Sequence, residues 1–320
     1  MITSWAVPDK VEDLYPNKAV ELEKSRRILI DQFLKKKFEL INPSMIEYAD
    51  NITFSGKSLS EDTFKVSDPL SGRMLGITPD LTIQTARIDN YLAKTASEVK
   101  KYCYCGSVLK AKKEQFTQSR EELQIGVEIY GNDKIDADID VVNTLINSFK
   151  LLKIKDILFS FNDIFFYLEL LNQLKLSALD SPELRVMFAK KDFISISNTL
   201  KGFASNNCLL KIQEYLDIYG DIDSLTKLSQ FFPNNKIVRK KITNIKLIQK
   251  SLPKNVNFNF DASDVDCYEY HSGLIFSVYS SQYKLPIAKG GRFENLTSIF
   301  GKTRPAVGFT FDLRNLLFFK

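Results

Sequence analysis

The chain has 320 residues, of which 44% are hydrophobic and 26% charged, and its formal net charge is +5. Both fractions are typical of globular proteins, and a chain of this length buries a core without disulfide bonds. No apolar run approaches the length of a membrane span, and the acids and prolines near the start exclude a secretory signal. We therefore expect a cytoplasmic protein with four reduced cysteines.

Metal and nucleic-acid sites find little support in the residue pattern. The cysteines lack the paired spacing of a zinc site and the single histidine is His271, so we expect no metal. Positive charge is concentrated only in KIVRKKITNIKLIQK, residues 236–250, which has the alternation of an amphipathic helix. Its apolar positions are Ile237, Ile242, Ile245 and Leu247. We interpret this segment as a solvated helix face, with an RNA-binding module as the weaker alternative.

The first half of the chain predicts helices interleaved with extended segments. Apolar residues recur at helical spacing over about 17–37, and an extended segment containing Pro43 follows to about 48. The segment 61–78 predicts a hairpin, because two extended runs flank Pro69 and Ser71-Gly72. The elements predicted next are a helix at about 81–94, strands at 101–110 and 121–130, a helix from 136 and a strand near 157–161.

The second half begins with helical patterns from about 163 to 253 and then returns to strands. Extended runs at 256–261 and 273–279 precede AKGGRF, a short helix, and a last strand and helix. This order, with hairpins and no regular alternation of strands and helices, predicts an α+β fold on a mostly antiparallel sheet. We predict a core formed by residues 1–162 and 255–320, with a helical insertion at 163–254.

One predicted strand, 121–130, carries the most chemical information. With a period of two, one face is apolar and the other carries Glu122, Gln124, Gly126 and Glu128. Such a polar face is usually exposed to water, because antiparallel sheets commonly have one solvated face. The alternative is a pocket for a small zwitterion with an imidazole, whose ammonium and ring N–H need carboxylates. Gly126 would then leave room where a side chain would block the pocket.

Several sequence blocks occur in an order that is characteristic of one family. They are FELINPSMIE, TFKVSDPLSGRMLGITPDLTIQTAR, YCYCGSVLKA, SREELQIGVEIYG, YEYHSGLIFSVY, AKGGRFENL and PAVGFTFDLRNL. In this order they resemble the class II catalytic core of histidyl-tRNA synthetase. They resemble more closely its paralogue family, the regulatory subunits of short-form ATP phosphoribosyltransferase. The resemblance covers about 7–317 apart from the helical insertion.

The resemblance implies a class II six-stranded antiparallel sheet flanked by helices, with a dimer formed through the region of Pro43. Asp80 stands where the synthetase has glutamate, which keeps a carboxylate for the ammonium group of histidine. For His271 the alternative is a packed, hydrogen-bonded position on a strand. Matched position by position, the histidine-binding residues are Asp80, Thr82, Lys110, Gln124, Glu128, Tyr270 and His271.

Departures from the synthetase pattern concern the cations that adenylate formation places on the phosphates of ATP. The arginine of the second motif is matched by Lys110, the nearby glutamate by Lys112, and the arginine of the third motif by Asn315. Lysine is a point charge that does not reproduce a bidentate arginine clamp, and asparagine carries no charge. The sequence ends soon after the third motif, and we expect no anticodon-binding domain.

A further departure concerns the carboxylate of histidine. The arginine expected to meet it aligns with Asp266, whose charge repels a carboxylate. Arg120 or Arg292 is the candidate replacement. Two alternatives are open: histidine binds in a shifted pose, or it binds weakly to a chain that serves mainly as an activating scaffold.

The resemblance thus implies a non-catalytic regulatory subunit that assembles with the catalytic short-form ATP phosphoribosyltransferase, a glycosyltransferase, in a hetero-octamer. This subunit is expected to be required for the first step of histidine biosynthesis and to relay allosteric feedback inhibition by histidine. No cofactor and no nucleic-acid or membrane partner are expected. The alternative is an active histidyl-tRNA synthetase-like enzyme that activates an amino acid.

Overall fold

The structure is a computed structural model that describes residues 6–54, 56–112, 119–265, 270–283 and 285–318. The strands in these ranges are β1 (Glu39–Leu40), β2 (Ile46–Tyr48), β3 (Phe64–Ser67), β4 (Met74–Ile77), β5 (Lys100–Leu109), β6 (Glu121–Tyr130), β7 (Ile157–Asp163), β8 (Tyr219–Gly220), β9 (Asn257–Asp261), β10 (Leu274–Ser280), β11 (Ala288–Arg292) and β12 (Ala306–Asp312).

The helices surround these strands and account for most of the remaining described residues. They are α1 (Pro16–Lys35), α2 (Ala49–Thr53), α3 (Lys57–Glu61), α4 (Leu81–Leu92), α5 (Ile135–Leu151), α6 (Ile164–Gln173), α7 (Pro182–Ala189), α8 (Phe193–Thr199), α9 (Asn206–Leu216), α10 (Ser224–Phe231), α11 (Lys236–Ser251), α12 (Glu294–Ile299) and α13 (Leu313–Phe318), with a 3₁₀ turn at Ser177–Leu179.

The large sheet has the strand order β1-β5-β6-β12-β11-β10-β7-β9-β8. The six strands from β5 to β7 in this order are antiparallel to their neighbours, which confirms the predicted antiparallel core. At one edge β1 adds in parallel to β5, and at the other edge β9 adds in parallel to β7. The predicted α+β class is therefore confirmed, with a mixed sheet in place of a purely antiparallel one.

Helices α1, α5 and α13 cover the apolar face of this sheet. The side chains of Ile125 and Val127 on β6 are fully buried there beside Phe33 of α1 and Leu145 of α5. Phe33 meets Phe309 of β12 edge-on at 6.2 Å between ring centroids. Each such fully buried apolar side chain stabilises the fold by about 1.5–3 kcal/mol, so this face anchors the strands whose opposite face is polar.

Helices α6 to α11 lie between β7 and β9, where the sequence predicts a helical insertion. The insertion also contributes β8, which extends the sheet edge and was not predicted. Helix α11 is amphipathic as expected, but its buried stripe is Val238, Ile242, Ile245 and Ile248. The predicted positions Ile237 and Leu247 are 54% and 41% exposed, because they lie one residue off that stripe. In the described part of the chain, no helix combines the length and apolar character needed to cross a bilayer.

A separate three-stranded sheet, β2-β4-β3, projects from the core with one apolar face. The register places Tyr48, Leu75 and Val66 side by side, with Ile46 on the same face two residues along β2. The opposite face is covered by α2, since a Cβ at Gly76 would lie 2.7 Å from the side chain of Ile52. The large side chains of the apolar face therefore point away from α2, and the strands of the small sheet do not cover them.

Candidate functional site

A cavity of about 530 Å³ opens on the polar face of the large sheet. The register aligns Glu128 of β6 with Gly308 of β12, Gly308 with Gly291 of β11, and Gly291 with Ile275 of β10. Paired residues in a sheet share a face, so two glycines form the cavity floor beside Glu128. A Cβ at Gly308 would lie 2.7 Å from Cγ of Glu128, which shows why this position accommodates only glycine.

Six of the seven residues predicted to bind histidine line this cavity. They are Thr82, Lys110, Gln124, Glu128, Tyr270 and His271. The alternative interpretation of the polar face as ordinary solvated surface is wrong, because Gln124 is 3% exposed and Glu128 is 1% exposed. Helices α4 and α12 cover the rest of this face and exclude water from it.

The carboxylate of Glu128 is held between two tyrosines. Tyr104 donates to Oε1 at 3.0 Å and Tyr130 donates to Oε2 at 2.5 Å. Burial raises the pKa of Glu128 to about 8, and the hydrogen bonds from neighbouring hydroxyls only partly offset that effect. A ligand N–H or ammonium favours the ionised form, so the carboxylate is ready to accept a hydrogen bond from a nitrogen donor.

Gly126 makes room for Tyr104, which sequence reasoning did not identify as a site residue. A Cβ at Gly126 would lie 2.7 Å from Oη of Tyr104 and 2.5 Å from the carbonyl oxygen of Phe309. The glycine thus lets the tyrosine hydroxyl reach Glu128, and it does not itself line the cavity. The available signal was the pair Tyr102 and Tyr104 at alternate positions on the strand that neighbours β6.

The start of α4 forms one wall, and it places Asp80 behind the cavity lining. Oδ1 of Asp80 accepts the backbone N–H of Thr82 at 3.1 Å and so caps the helix. Its Oδ2 accepts the hydroxyl of Tyr270 at 2.6 Å. Gln124 accepts the N–H of Leu81 at 2.9 Å and ties β6 to the same helix end. Asp80 therefore positions Thr82 and Tyr270 from behind the lining. The sequence predicted instead that Asp80 contacts the ligand directly.

Tyr270 and His271 form a further part of the lining, and their rings stack at 4.8 Å between centroids. His271 lines the cavity, as in the pocket interpretation, and its Cδ2 lies 3.1 Å from where a Cβ of Gly291 would be. The sequence-predicted departure at Asp266 falls outside the described residues.

The structure places both candidate carboxylate partners, Arg120 and Arg292, away from the cavity lining. Arg292 pairs with the buried Asp138, with Nε at 2.9 Å from Oδ1, and it also donates to two backbone carbonyls. Arg120 donates to the carbonyls of Lys110 and Ala111 and lies over the ring of Phe64. Neither arginine is among the described residues that line the cavity, and each guanidinium already donates to these partners.

The lysines Lys110 and Lys112, which line another part of the cavity, are paired with carboxylates. Nζ of Lys110 lies 2.9 Å from Glu122, and Nζ of Lys112 lies 2.5 Å from Glu61. Asp312 also lines this end, and its burial, together with the charge of Glu122, raises its pKa to about 7. Asn315 lines the same region without a charge. Paired lysines beside additional carboxylates offer little attraction to a polyanion.

Comparisons with known proteins agree with the fold. A family model for histidyl-tRNA synthetase matches residues 10–316. The ATP phosphoribosyltransferase regulatory subunit of Methylobacillus flagellatus is 30% identical over 316 residues, which cover 98% of this chain and 81% of the relative. The protein of the same name from an Azoarcus species is 32% identical over 315 residues, with the same coverage.

A solved structure from Bacillus halodurans, described as an ATP phosphoribosyltransferase regulatory subunit/histidyl-tRNA synthetase, superposes with a TM-score of 0.86 at 19% identity. The superposition covers 99% of this chain and 83% of that one. The fold and the polar cavity define a protein of the class II histidyl-tRNA synthetase type. Within the histidyl-tRNA synthetase family, the chain belongs to the ATP phosphoribosyltransferase regulatory subunits, as the sequence blocks predict.

The raised pKa of Glu128 predicts how pH changes the stability of the empty protein. The unfolded chain releases the Glu128 proton near the ordinary pKa of 4.5, whereas the folded protein keeps this proton up to about pH 8. The free energy of unfolding therefore falls as pH rises from about 5 to about 8. Glu128→Gln stays neutral and should gain stability relative to the wild type over that interval, by an amount of the order of a few kcal/mol.

Urea denaturation of both proteins at about pH 5 and about pH 8 measures the difference. Glu214→Gln, an exposed position on α9, is the matched control and should show no such change. If the free energy of unfolding differs between Glu128→Gln and the wild type by the same amount at both pH values, the raised pKa of Glu128 is contradicted.

Proposed function

We propose that this chain is a non-catalytic regulatory subunit that activates a catalytic ATP phosphoribosyltransferase and transmits feedback inhibition by histidine. Two observations together carry the proposal. Relatives with that name match 98% of the chain, and the chain has a buried polar cavity suited to an amino acid. The proposal places the protein in the cytoplasm, at the first step of histidine biosynthesis, within a hetero-octamer.

Histidine has an imidazole, an ammonium group and a carboxylate, and the cavity offers partners of the right kind. Glu128 accepts from an N–H of the ligand while Tyr104 and Tyr130 hold the carboxylate in place. The stacked rings of Tyr270 and His271 provide a flat wall for the imidazole. Gly291 and Gly308 add no side chain to the cavity lining, and Gly308 leaves room for the Glu128 side chain that the ligand would meet.

The alternative, an enzyme that activates histidine with ATP, is disfavoured by the charges at the other end of the cavity. Lys110 is paired with Glu122, and Asn315 supplies no cation. Losing a preorganised donor to the transition state removes about 2.7–4 kcal/mol of stabilisation in typical enzymes. The described residues that line the cavity include no arginine, and this favours binding without adenylate formation.

Self-association is part of the proposal, through the apolar face of the small sheet. This face includes Ile46, Tyr48 and Val66, which are 49%, 39% and 50% exposed, and it follows Pro43, where the resemblance implies a dimer contact. A contiguous apolar sheet face of this kind is typical of an interaction site. A second copy of the chain would bury it in a symmetric interface.

Charge on this face should prevent dimer formation. Val66→Glu would place a carboxylate in the apolar interface, where an unpaired charge is strongly unfavourable, so we expect a monomer in sedimentation velocity. Lys65→Glu, an exposed neighbour on the opposite face of β3, is the control and should remain dimeric. A dimeric Val66→Glu protein would place the interface elsewhere.

Feedback inhibition should depend on Glu128. With the wild-type chain added to the catalytic subunit, histidine should inhibit ATP phosphoribosyltransferase activity. With Glu128→Gln, the histidine concentration for half-inhibition should rise at least about tenfold, since hydrogen bonds to charged groups contribute about 1.5–3 kcal/mol. Glu214→Gln should be inhibited like the wild type. Equal inhibition of the wild type and Glu128→Gln would show that histidine acts at another site.

A further inference from the structure

A ligand carboxylate in this cavity needs a cationic side chain as its partner. The residues that line the cavity limit which side chain that is. This inference rests on the proposed histidine binding. The predicted partners Arg120 and Arg292 are held outside the lining by other groups. The described lysines that line the cavity are Lys110, Lys112 and Lys289. The first two lie at the end where synthetases hold triphosphate, and each is paired with a glutamate.

Lys289 lies on β11, and the register places it on the face of the sheet that forms the cavity floor. It is aligned with Thr310 of β12, which is aligned in turn with Gly126 of β6. Gly291, two residues further along β11, therefore shares its face. From standard strand spacing and rise, the Cα atoms of Lys289 and Glu128 are about 12 Å apart, diagonally across the floor.

Two glycines lie on the same face of the sheet as these two residues. Gly308 and Gly291 occupy the row that joins Glu128 to β10, and neither projects a side chain into the cavity. An acid at one side and a base at the other match the charges of a zwitterionic amino acid. Lys289 and Glu128 both line the cavity, at different places on this face of the sheet.

Lys289 also differs from the other two lining lysines in its electrostatic surroundings. Within the ranges that the structure describes, no carboxylate lies within ion-pair distance of its ammonium group, and its side chain is exposed. A lysine without a carboxylate partner keeps its charge available for a ligand. We propose that Lys289 binds the α-carboxylate of histidine, at the side of the cavity opposite Glu128.

Calorimetric titration with two ligands tests this assignment. L-histidine carries the carboxylate, whereas histamine has the same imidazole and amine without it. Lys289→Met should weaken histidine binding at least about tenfold, the effect expected for a lost charge-assisted hydrogen bond, and should leave histamine binding unchanged. Lys289→Arg should bind histidine within about threefold of the wild type, because it retains the charge.

Lys112→Met is the matched control, since this lysine lines the same cavity but is paired with Glu61, and it should bind both ligands like the wild type. Unchanged histidine binding by Lys289→Met, or equal weakening of histidine and histamine binding, would refute the role of Lys289. Neither result would bear on the proposed function. A wild-type chain that binds no histidine, with or without the catalytic subunit, would refute the proposed function and this inference with it.

Discussion

The buried carboxylate of Glu128 is the constraint on which the rest of the cavity depends. A carboxylate removed from water is unfavourable unless it is protonated or surrounded by donors. Two tyrosine hydroxyls supply donors, and Gly126 and Gly308 provide the space that the tyrosine and the carboxylate occupy. The apolar packing on the opposite face of β6 supplies the stability that keeps this arrangement in place. Burial destabilises this carboxylate in the empty protein, so a ligand that donates a hydrogen bond to it would stabilise its ionised form.

The two ends of the cavity differ in their chemistry. The end near Glu128 has buried polar groups in fixed geometry, with Gln124 and Asp80 both anchored to the start of α4. At the other end Lys110 is neutralised by Glu122, and Asp312 adds a further buried carboxylate. A family resemblance to synthetases identifies the fold, but these side chains decide the function. These charges are the basis of the proposal that the cavity binds a small zwitterion and not a polyphosphate.

Periodicity and the order of sequence blocks predicted much of the fold, because they depend on local sequence. The alternation in β6 and the stripes of α1, α4 and α5 gave element bounds within a few residues of those observed. Side-chain partners were predicted less well, since they join distant positions: Tyr270 donates to Asp80 across 190 residues, and Arg292 to Asp138 across 154. A carboxylate or guanidinium is identified by the sequence, but its choice among several partners is decided only by packing. The same limit explains why Tyr104 was missed as a partner of Glu128.

The most direct test of this account is a calorimetric titration of the purified chain with L-histidine and, separately, with ATP and magnesium, alone and in the presence of the catalytic subunit. We predict that histidine binds to the wild type, that Glu128→Gln weakens this binding at least about tenfold, and that the regulatory chain alone does not bind the nucleotide. Binding of ATP and magnesium to the isolated chain, with loss of that binding in Lys110→Met, would contradict the account. So would histidine binding that is the same in the wild type and in Glu128→Gln.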